Sequence, residues 1–299
     1  MILSQALFLS LGEITEPVIT RYRLGLILHG LYASRSFQGE TLDDLKNGPV
    51  TSEEFDFRLH ELEYQKVLKS HPNFPSKAYR LLGRKGESPE EVACTIDPFC
   101  YLSHLSAMCH HGLTNRLPVK LFVSSPALSM WKVEAEARMK KDLGSHYDTY
   151  CESGMPRLTR LNLSKIGRMD VHRFHSSHWG AYVNVRGRTL RVASIGRTFL
   201  DMLRNPELCG GMRHVIEVYE QHAETYLPLI IDEVERNGSP IDKVRAGYLL
   251  DEKLGIKNEV VESWTAFAQR GGSRKLDAAG EYAPVWSAKW CLSLNLGNL

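Results

Sequence analysis

The segment TSEEFDFRLHELEYQKVLKSHPNFPSKAYRLL (residues 51–82) decides the fold class of the N-terminal part of the chain. Thr51 with Glu54 three residues later predicts a capping box at the start of a helix. Three apolar residues then recur at helical spacing and predict one buried face: Phe55, Leu59 and Leu62. Two short strands are expected next, because the turn-forming run HPNFP separates Val67–Leu68 from residues 77–82. The segment therefore predicts a helix followed by a β-hairpin.

The residues before this segment predict further helices. TRYRLGLILHGL (20–31) is expected to be helical, and TLDDLK (41–46) is expected to be a short helix ended by an Asn-Gly pair. The apolar start, residues 1–11, has no base before Arg21, so we expect a buried strand or helix and not a signal peptide. The order helix, helix, turn, helix, hairpin is typical of a winged helix-turn-helix domain, predicted over residues 1–85.

A polar segment, residues 84–98, is predicted to link this domain to a larger mixed α/β C-terminal domain at 92–299. Strands or hairpins are expected at 119–123, 157–163, 171–175 and 182–194. Helices are expected at 101–111, 128–143, 197–204, 212–236, 241–254 and 259–269. The predicted fold class is thus α+β, an N-terminal winged helix-turn-helix followed by a mixed α/β domain.

Composition excludes several classes of protein. The chain has 299 residues, 43% of them hydrophobic, and a net charge of +2, which excludes a polycation and a disordered acidic chain. Its six cysteines include no pair separated by two residues, so we expect reduced thiols in a cytoplasmic protein. No stretch approaches the roughly 18 apolar residues of a membrane span, so no membrane partner is predicted.

Signatures of catalysis are missing from the sequence. It contains no phosphate-binding glycine loop and no G-x-S-x-G nucleophile motif. His172, His175 and His178 were weighed as a metal site, but a surface strand explains them better because alternate strand residues face opposite sides. We therefore predict no catalytic residues, no metal and no cofactor.

Arginine is concentrated in residues 157–213, where eleven basic residues face three acidic ones and ten of the eleven are Arg. The guanidinium group binds phosphate oxygens in a bidentate manner, so this stretch predicts a surface for a polyanion. The alternative is that these arginines pair with the acidic helices after residue 214.

The helix predicted at residue 51 carries more acidic than basic residues, so DNA contact is expected mainly from its N-terminus and from the hairpin. The predicted DNA-binding residues in this domain are Ser52, Arg58, His60, Lys69, His71, Asn73, Lys77 and Arg80. Those in the arginine-rich stretch are Arg157, Arg160, Lys165, Arg168, Arg173, Arg186, Arg188 and Arg191.

Three stretches resemble a known family: YLSHLSAMCHHGLTNRLP (101–118), LRVASIGRTFLDMLRNPELCGGMRHVIEVYE (190–220) and KVRAGYLLDEKLG (243–255). They are similar to the AbiEi-type antitoxins, the transcriptional regulators of type IV toxin–antitoxin systems in bacteria. The resemblance implies a winged helix that binds inverted repeats of double-stranded DNA in its own promoter, and a C-terminal antitoxin domain. It also implies a nucleotidyltransferase-like toxin, countered without a stable complex. Two alternatives stay open, a protein-interaction winged helix and a metal-dependent nuclease-like enzyme.

Overall fold

The structure of the chain, a computed structural model, describes residues 1–83, 88–176, 179–269 and 274–296. Its α-helices are α1 Leu3–Gly12, α2 Arg21–Ser34, α3 Ser52–Tyr64, α4 Pro89–Ile96, α5 His104–His110, α6 Leu128–Leu143, α7 Tyr147–Glu152, α8 Ile195–Arg204, α9 Met212–Asn237, α10 Pro240–Gly247 and α11 Glu259–Ser263. Short 3₁₀ turns occur at Gly144–His146, Pro206–Cys209 and Trp264–Phe267, and a π turn at Tyr248–Lys253.

The strands are β1 Val18–Thr20, β2 Ser36–Phe37, β3 Glu40–Thr41, β4 Leu68–His71, β5 Phe74–Leu81, β6 Tyr101–Leu102, β7 Leu121–Pro126, β8 Lys165–Ile166, β9 Met169–Ser176, β10 Tyr182–Asn184, β11 Arg191–Ala193, β12 Trp286–Ser287 and β13 Leu292–Ser293. Helices and strands are mixed along the chain, which confirms the predicted α+β class. Within the described residues, none of the helices combines the length and hydropathy needed to cross a bilayer.

The described chain forms two compact units. The first comprises residues 1–100, 125–177 and 184–190, and the second comprises 101–124, 178–183 and 191–299. These bounds differ from the predicted division into 1–85 and 92–299. In particular, most of the arginine-rich stretch up to residue 190 belongs to the same unit as the N-terminal helices.

The first unit is built around the segment that opens at Thr51. The Thr51 hydroxyl accepts a hydrogen bond from the Glu54 amide, as predicted, but the Glu54 carboxylate turns to Lys46 and Arg58 instead of completing the capping box. Strands β1, β5 and β4 form an antiparallel sheet in that order. Helices α1, α2 and α3 bury one shared apolar core that includes Leu7, Leu28 and Phe55.

Two predicted elements of the first unit are wrong. Residues 41–46 are not helical, because Asp44 accepts a hydrogen bond from the Leu3 amide and so caps the N-terminus of α1. Residues 157–163 form no strand. Side chains bond two carbonyls of this region, since Tyr150 donates to Pro156 and Arg173 donates to Leu161.

In the second unit, strands β10, β11, β6 and β7 are neighbours in that order, with β11 parallel and β7 antiparallel to β6. Helices α8 and α9 pack closely, because Gly196 leaves room for the Leu229 carbonyl where a Cβ would collide with it. Pro228 does not end α9, which runs on to Asn237. Trp264 and Trp290 are fully buried in this core.

Candidate nucleic-acid interface

Two β-hairpins of the first unit meet at their tips. The backbone amide of Gly167, in the turn between β8 and β9, donates a 2.8 Å hydrogen bond to the side-chain oxygen of Asn73, in the turn between β4 and β5. Gly167 has a φ of +58°, which the tight turn requires and which glycine adopts without strain. The predicted residue Asn73 therefore positions the second hairpin against the first.

The two joined hairpins expose four basic side chains: Lys69, Lys77, Lys165 and Arg168. We call these four residues the paired-hairpin surface. One acidic side chain lies near this surface. The Asp170 carboxylate is 4.0 Å from the Lys165 ammonium group. An exposed pair at this distance leaves the Lys165 charge largely available to a polyanion.

Helix α3 presents a different surface. Arg58 is mostly buried and is held by Glu54 at 2.8 Å, by Ser4 at 2.8 Å and by Glu61 at 3.0 Å. Its guanidinium group is thus committed inside the unit, contrary to its predicted role at DNA. Exposed residues of this helix include Glu53, Phe57 and Tyr64.

Three more predicted residues of this region are placed in distinct environments. Ser52 starts α3, and its amide donates to the Ser153 carbonyl, so this end of the helix is packed. His60 is exposed, with its ring nitrogen 2.7 Å from the Asp56 carbonyl oxygen. Arg80 is half-buried on β5.

His71 is fully buried, with 0% exposure, and its ring packs on Phe74 at 5.1 Å. The structure therefore contradicts its prediction as a DNA contact. The turn sequence placed this residue at the hairpin tip, but the strand register directs its side chain into the unit.

Arg160 and Arg173 stabilise the first unit from within. Arg160 donates to the Pro126 carbonyl and lies 3.1 Å from the His175 ring nitrogen. Arg173 donates to the Leu161 carbonyl and lies 3.7 Å from the Asp97 carboxylate, and burial lowers its pKa. Both side chains are therefore positioned to fix backbone, while Arg157 is exposed.

The last three predicted arginines flank the loop between β10 and β11. Arg186 is exposed beside Gly187, which has a φ of +74°. Arg188 is exposed and is 2.8 Å from Glu91. Arg191 is half-buried on β11, in the second unit.

The remaining arginines of the stretch lie within the second unit. Arg197 is 3% exposed and pairs with Asp201 at 2.7 Å and Glu233 at 3.9 Å. Arg204 pairs with Asp242 at 2.9 Å. The alternative interpretation, pairing with the acidic helices after residue 214, therefore describes Arg204. It describes Arg197 only through Glu233, because Asp201 lies before residue 214.

The histidines weighed as a metal site do not form one within the described residues. His172 is half-buried and His175 is exposed, whereas His178 lies outside the described residues. The described ranges contain no group of three or more His, Cys, Asp or Glu side chains placed to hold a metal ion.

Sequence reasoning missed a basic cavity at the start of α2, lined in part by Arg21, Lys77 and Arg157. Local charge predicts Lys77 and Arg157 as separate DNA contacts. The sequence signal for this cavity is the helix start at Thr20 followed directly by Arg21. No local pattern connects that helix start to Lys77 or Arg157, which lie far along the chain.

Comparison with known proteins gives a likeness of fold. No protein-family model matches the chain, and no curated protein matches it. Among solved structures, the chain is similar to the RV2827C protein from Mycobacterium tuberculosis, with a TM-score of 0.50 and 14% sequence identity over 97% of this chain and 90% of that chain. At this identity the likeness concerns the fold and assigns no activity.

Proposed function

We propose that the protein is a DNA-binding antitoxin that represses its own operon and counters a nucleotidyltransferase-like toxin in the cytoplasm. It would act by binding and not by catalysis. The contact between Gly167 and Asn73 carries the DNA-binding part, because it joins two hairpins into one surface with four exposed basic side chains. Clustered Lys and Arg side chains are the main source of affinity for the phosphate backbone.

The order of elements in the first unit supports an N-terminal winged helix. Helix α1, strand β1, helices α2 and α3, and hairpin β4–β5 follow one another, and β5 lies between β1 and β4 in the sheet. In this interpretation β4–β5 is the wing. The β8–β9 hairpin then extends the wing with Lys165 and Arg168.

The proposed mode of binding relies on the wing more than on a recognition helix. The exposed charged residue of α3, Glu53, is acidic and would repel phosphate, and Arg58 is already paired. Contacts from hairpin tips to the phosphate backbone position a protein on DNA but read little sequence. We therefore expect strong salt dependence and a modest preference for the operator.

Titration of a labelled duplex from the upstream region of the protein's own gene tests this proposal. If each of the four basic residues of the paired-hairpin surface neutralised one phosphate, the slope of log K against log salt would be roughly −4. An unrelated duplex of equal length serves as the control for sequence preference. Absence of binding even at about 50 mM salt would overturn the DNA-binding proposal.

The antitoxin part rests on the resemblance of residues 101–118, 190–220 and 243–255 to the AbiEi-type family. It is tested by expressing the protein together with a nucleotidyltransferase-like toxin encoded beside it. We expect restored growth without co-purification of the two proteins. Growth arrest that persists despite full expression of the chain would contradict the proposal.

Exposed aromatic residues on α3 favour a second candidate function, protein interaction through this helix. Phe57 is 61% exposed and Tyr64 is 90% exposed, on a helix that also exposes Glu53. Exposed aromatic side chains are typical anchors of protein interfaces. This function predicts a complex with a partner protein that survives nuclease treatment. The variant Phe57→Ser/Tyr64→Ser should lose this complex and still bind DNA.

A further inference from the structure

A cavity of about 200 Å³ lies in the first unit at the N-terminal end of α2. Its polar wall comprises Thr20, Arg21, Lys77 and Arg157, and its apolar wall includes Ile96 and Leu161. Three cationic side chains thus face one concave space beside apolar surface. None of the residues lining this cavity is Asp or Glu.

Strand register brings Lys77 to this place. Thr20, the last residue of β1, pairs with Ala78 of β5, so Lys77 lies next to the junction between β1 and α2. Thr20 also caps the helix, because its hydroxyl accepts a hydrogen bond from the Arg23 amide at 3.2 Å. The cation and the helix start are therefore held together by sheet pairing.

Arg157 is held at the cavity through a close contact on α2. Gly25 leaves room for the buried Tyr150, whose hydroxyl oxygen would be 2.5 Å from a Cβ at that position. The Tyr150 hydroxyl donates to the Pro156 carbonyl at 2.8 Å. This bond anchors the backbone directly before Arg157, so the wall is built by buried contacts.

The charges in the cavity are only partly balanced. Arg21 pairs with Asp56 at 2.6 Å and lies over the Phe55 ring. Within the described ranges, no carboxylate lies within 4.0 Å of the Lys77 ammonium or the Arg157 guanidinium group. The first amides of α2 add positive potential, since the first turn of a helix leaves N–H groups without helical partners. The local chemistry thus favours a compact anion.

We propose that this cavity binds a small organic phosphate. The phosphoryl group is held between Lys77 and Arg157, and the uncharged remainder of the ligand lies against Ile96 and Leu161. The volume is below the roughly 300–1,000 Å³ of sites for drug-sized ligands, so it suits a ligand of a few carbon atoms. A phosphate of the DNA backbone has the same chemistry and is the other source that the experiment must separate.

Calorimetric titration of the full chain with glycerol 3-phosphate, at fixed ionic strength, tests the proposal. We expect saturable binding to one site, and glycerol alone should give no heat of binding. Lys77→Ala/Arg157→Ala should bind at least about tenfold more weakly, because two charge-assisted contacts are lost. Lys132→Ala, an exposed lysine on α6, is the matched control and should bind as the wild type.

Absence of saturable binding, or equal affinity in the double variant and the wild type, would overturn the site. Both altered side chains are exposed, so the double variant should keep its circular dichroism spectrum. Binding of a DNA duplex that depends on Arg157, without binding of glycerol 3-phosphate, would overturn the small-ligand assignment.

Occupancy of the cavity should also weaken DNA binding, a consequence that rests on the proposed function because Lys77 belongs to the paired-hairpin surface. Adding glycerol 3-phosphate to the DNA titration should lower the affinity in the wild type and leave that of Arg157→Ala unchanged. Calorimetry requires no DNA. It therefore shows whether the cavity binds glycerol 3-phosphate independently of whether the protein binds DNA.

Discussion

Individual arginines of the arginine-rich stretch reach opposite environments in the two units, although Arg160 and Arg173 of the first unit are also bonded within it. In the first unit, Arg157, Arg168 and Arg186 are exposed, whereas in the second unit Arg197 is buried among carboxylates. The residue type is the same in both cases. The difference teaches that a basic run predicts an interface only where no carboxylate is supplied from elsewhere in the fold.

The physical origin of the difference is the helix that carries the buried arginines. Asp201 lies one turn after Arg197 on α8, and Glu233 comes from α9, which packs against α8. Burial raises the pKa of Glu233, and Asp201 makes the shorter contact with Arg197, at 2.7 Å against 3.9 Å for Glu233. Arg157, Arg168 and Arg186 lie on turns and loops, and within the described residues none of the three forms an ion pair, whereas the exposed Arg188 pairs with Glu91.

Replacing Arg197 should produce the largest effect. Arg197→Met leaves Asp201 buried without its partner, and we expect a loss of about 3–5 kcal/mol in the free energy of unfolding. Urea unfolding followed by tryptophan fluorescence measures it, since Trp264 and Trp290 are buried in the same unit. Arg186→Met, at an exposed site, should change stability by less than about 0.5 kcal/mol. Equal effects of the two changes would erase the distinction between the regions.

Two helical glycines provide the next contrast. Gly196→Ala places a Cβ against the Leu229 backbone carbonyl and should cost about 1–3 kcal/mol through overpacking. Gly30→Ala on α2 meets no atom within 4 Å and should stabilise the chain by about 0.5–1 kcal/mol. Thermal unfolding of both variants measures the difference. Stabilisation by Gly196→Ala would mean that α8 and α9 are less tightly packed than described.

Removing charge from the paired-hairpin surface should change DNA affinity and leave stability unaffected. Lys165→Ala/Arg168→Ala should reduce the magnitude of the salt slope by roughly 2, because two phosphate contacts are lost. Fluorescence anisotropy over a salt series measures the slope. Lys132→Ala on α6 is the control, with an unchanged slope expected. An unchanged slope in the double variant would show that these hairpins do not touch DNA.

A pH effect at His175 should be the smallest. Partial desolvation of the ring and the nearby Arg160 and Arg173 lower the pKa of His175 below its ordinary value of about 6.5. As the pH falls through 6.5, the unfolded chain binds a proton first, so the folded state loses stability toward the lower folded pKa. His175→Gln should therefore flatten the decrease in stability between about pH 7 and pH 5. If the urea midpoints of the wild type and of His175→Gln changed in parallel across this pH range, the lowered pKa of His175 would be contradicted.

Part of the first unit follows from local sequence. Thr51 caps α3 as predicted, and the turn between β4 and β5 lies within HPNFP. Helix α6 ends before Gly144, which has a φ of +54°. These features depend on residues within a turn or two of each other, so propensity and capping predict them.

The candidate site followed from sequence less well. His71 was placed at DNA but is buried, and Arg58 was placed at DNA but is paired with Glu54 and Glu61. The exposed Lys165 and Arg168 were predicted as basic residues, yet their adjacency to Asn73 spans more than 90 positions of sequence. No local pattern reports such a contact.

Sequence by itself determined the α+β class, the start of α3, the hairpin turn and the concentration of arginine. Only the tertiary structure decided which arginines meet a carboxylate, that Asp44 caps α1 in place of forming a helix, and that Lys77 and Arg157 share a cavity. Local features depend on backbone preferences and nearby side chains. The availability of a charge depends on what the rest of the folded chain brings within hydrogen-bonding distance.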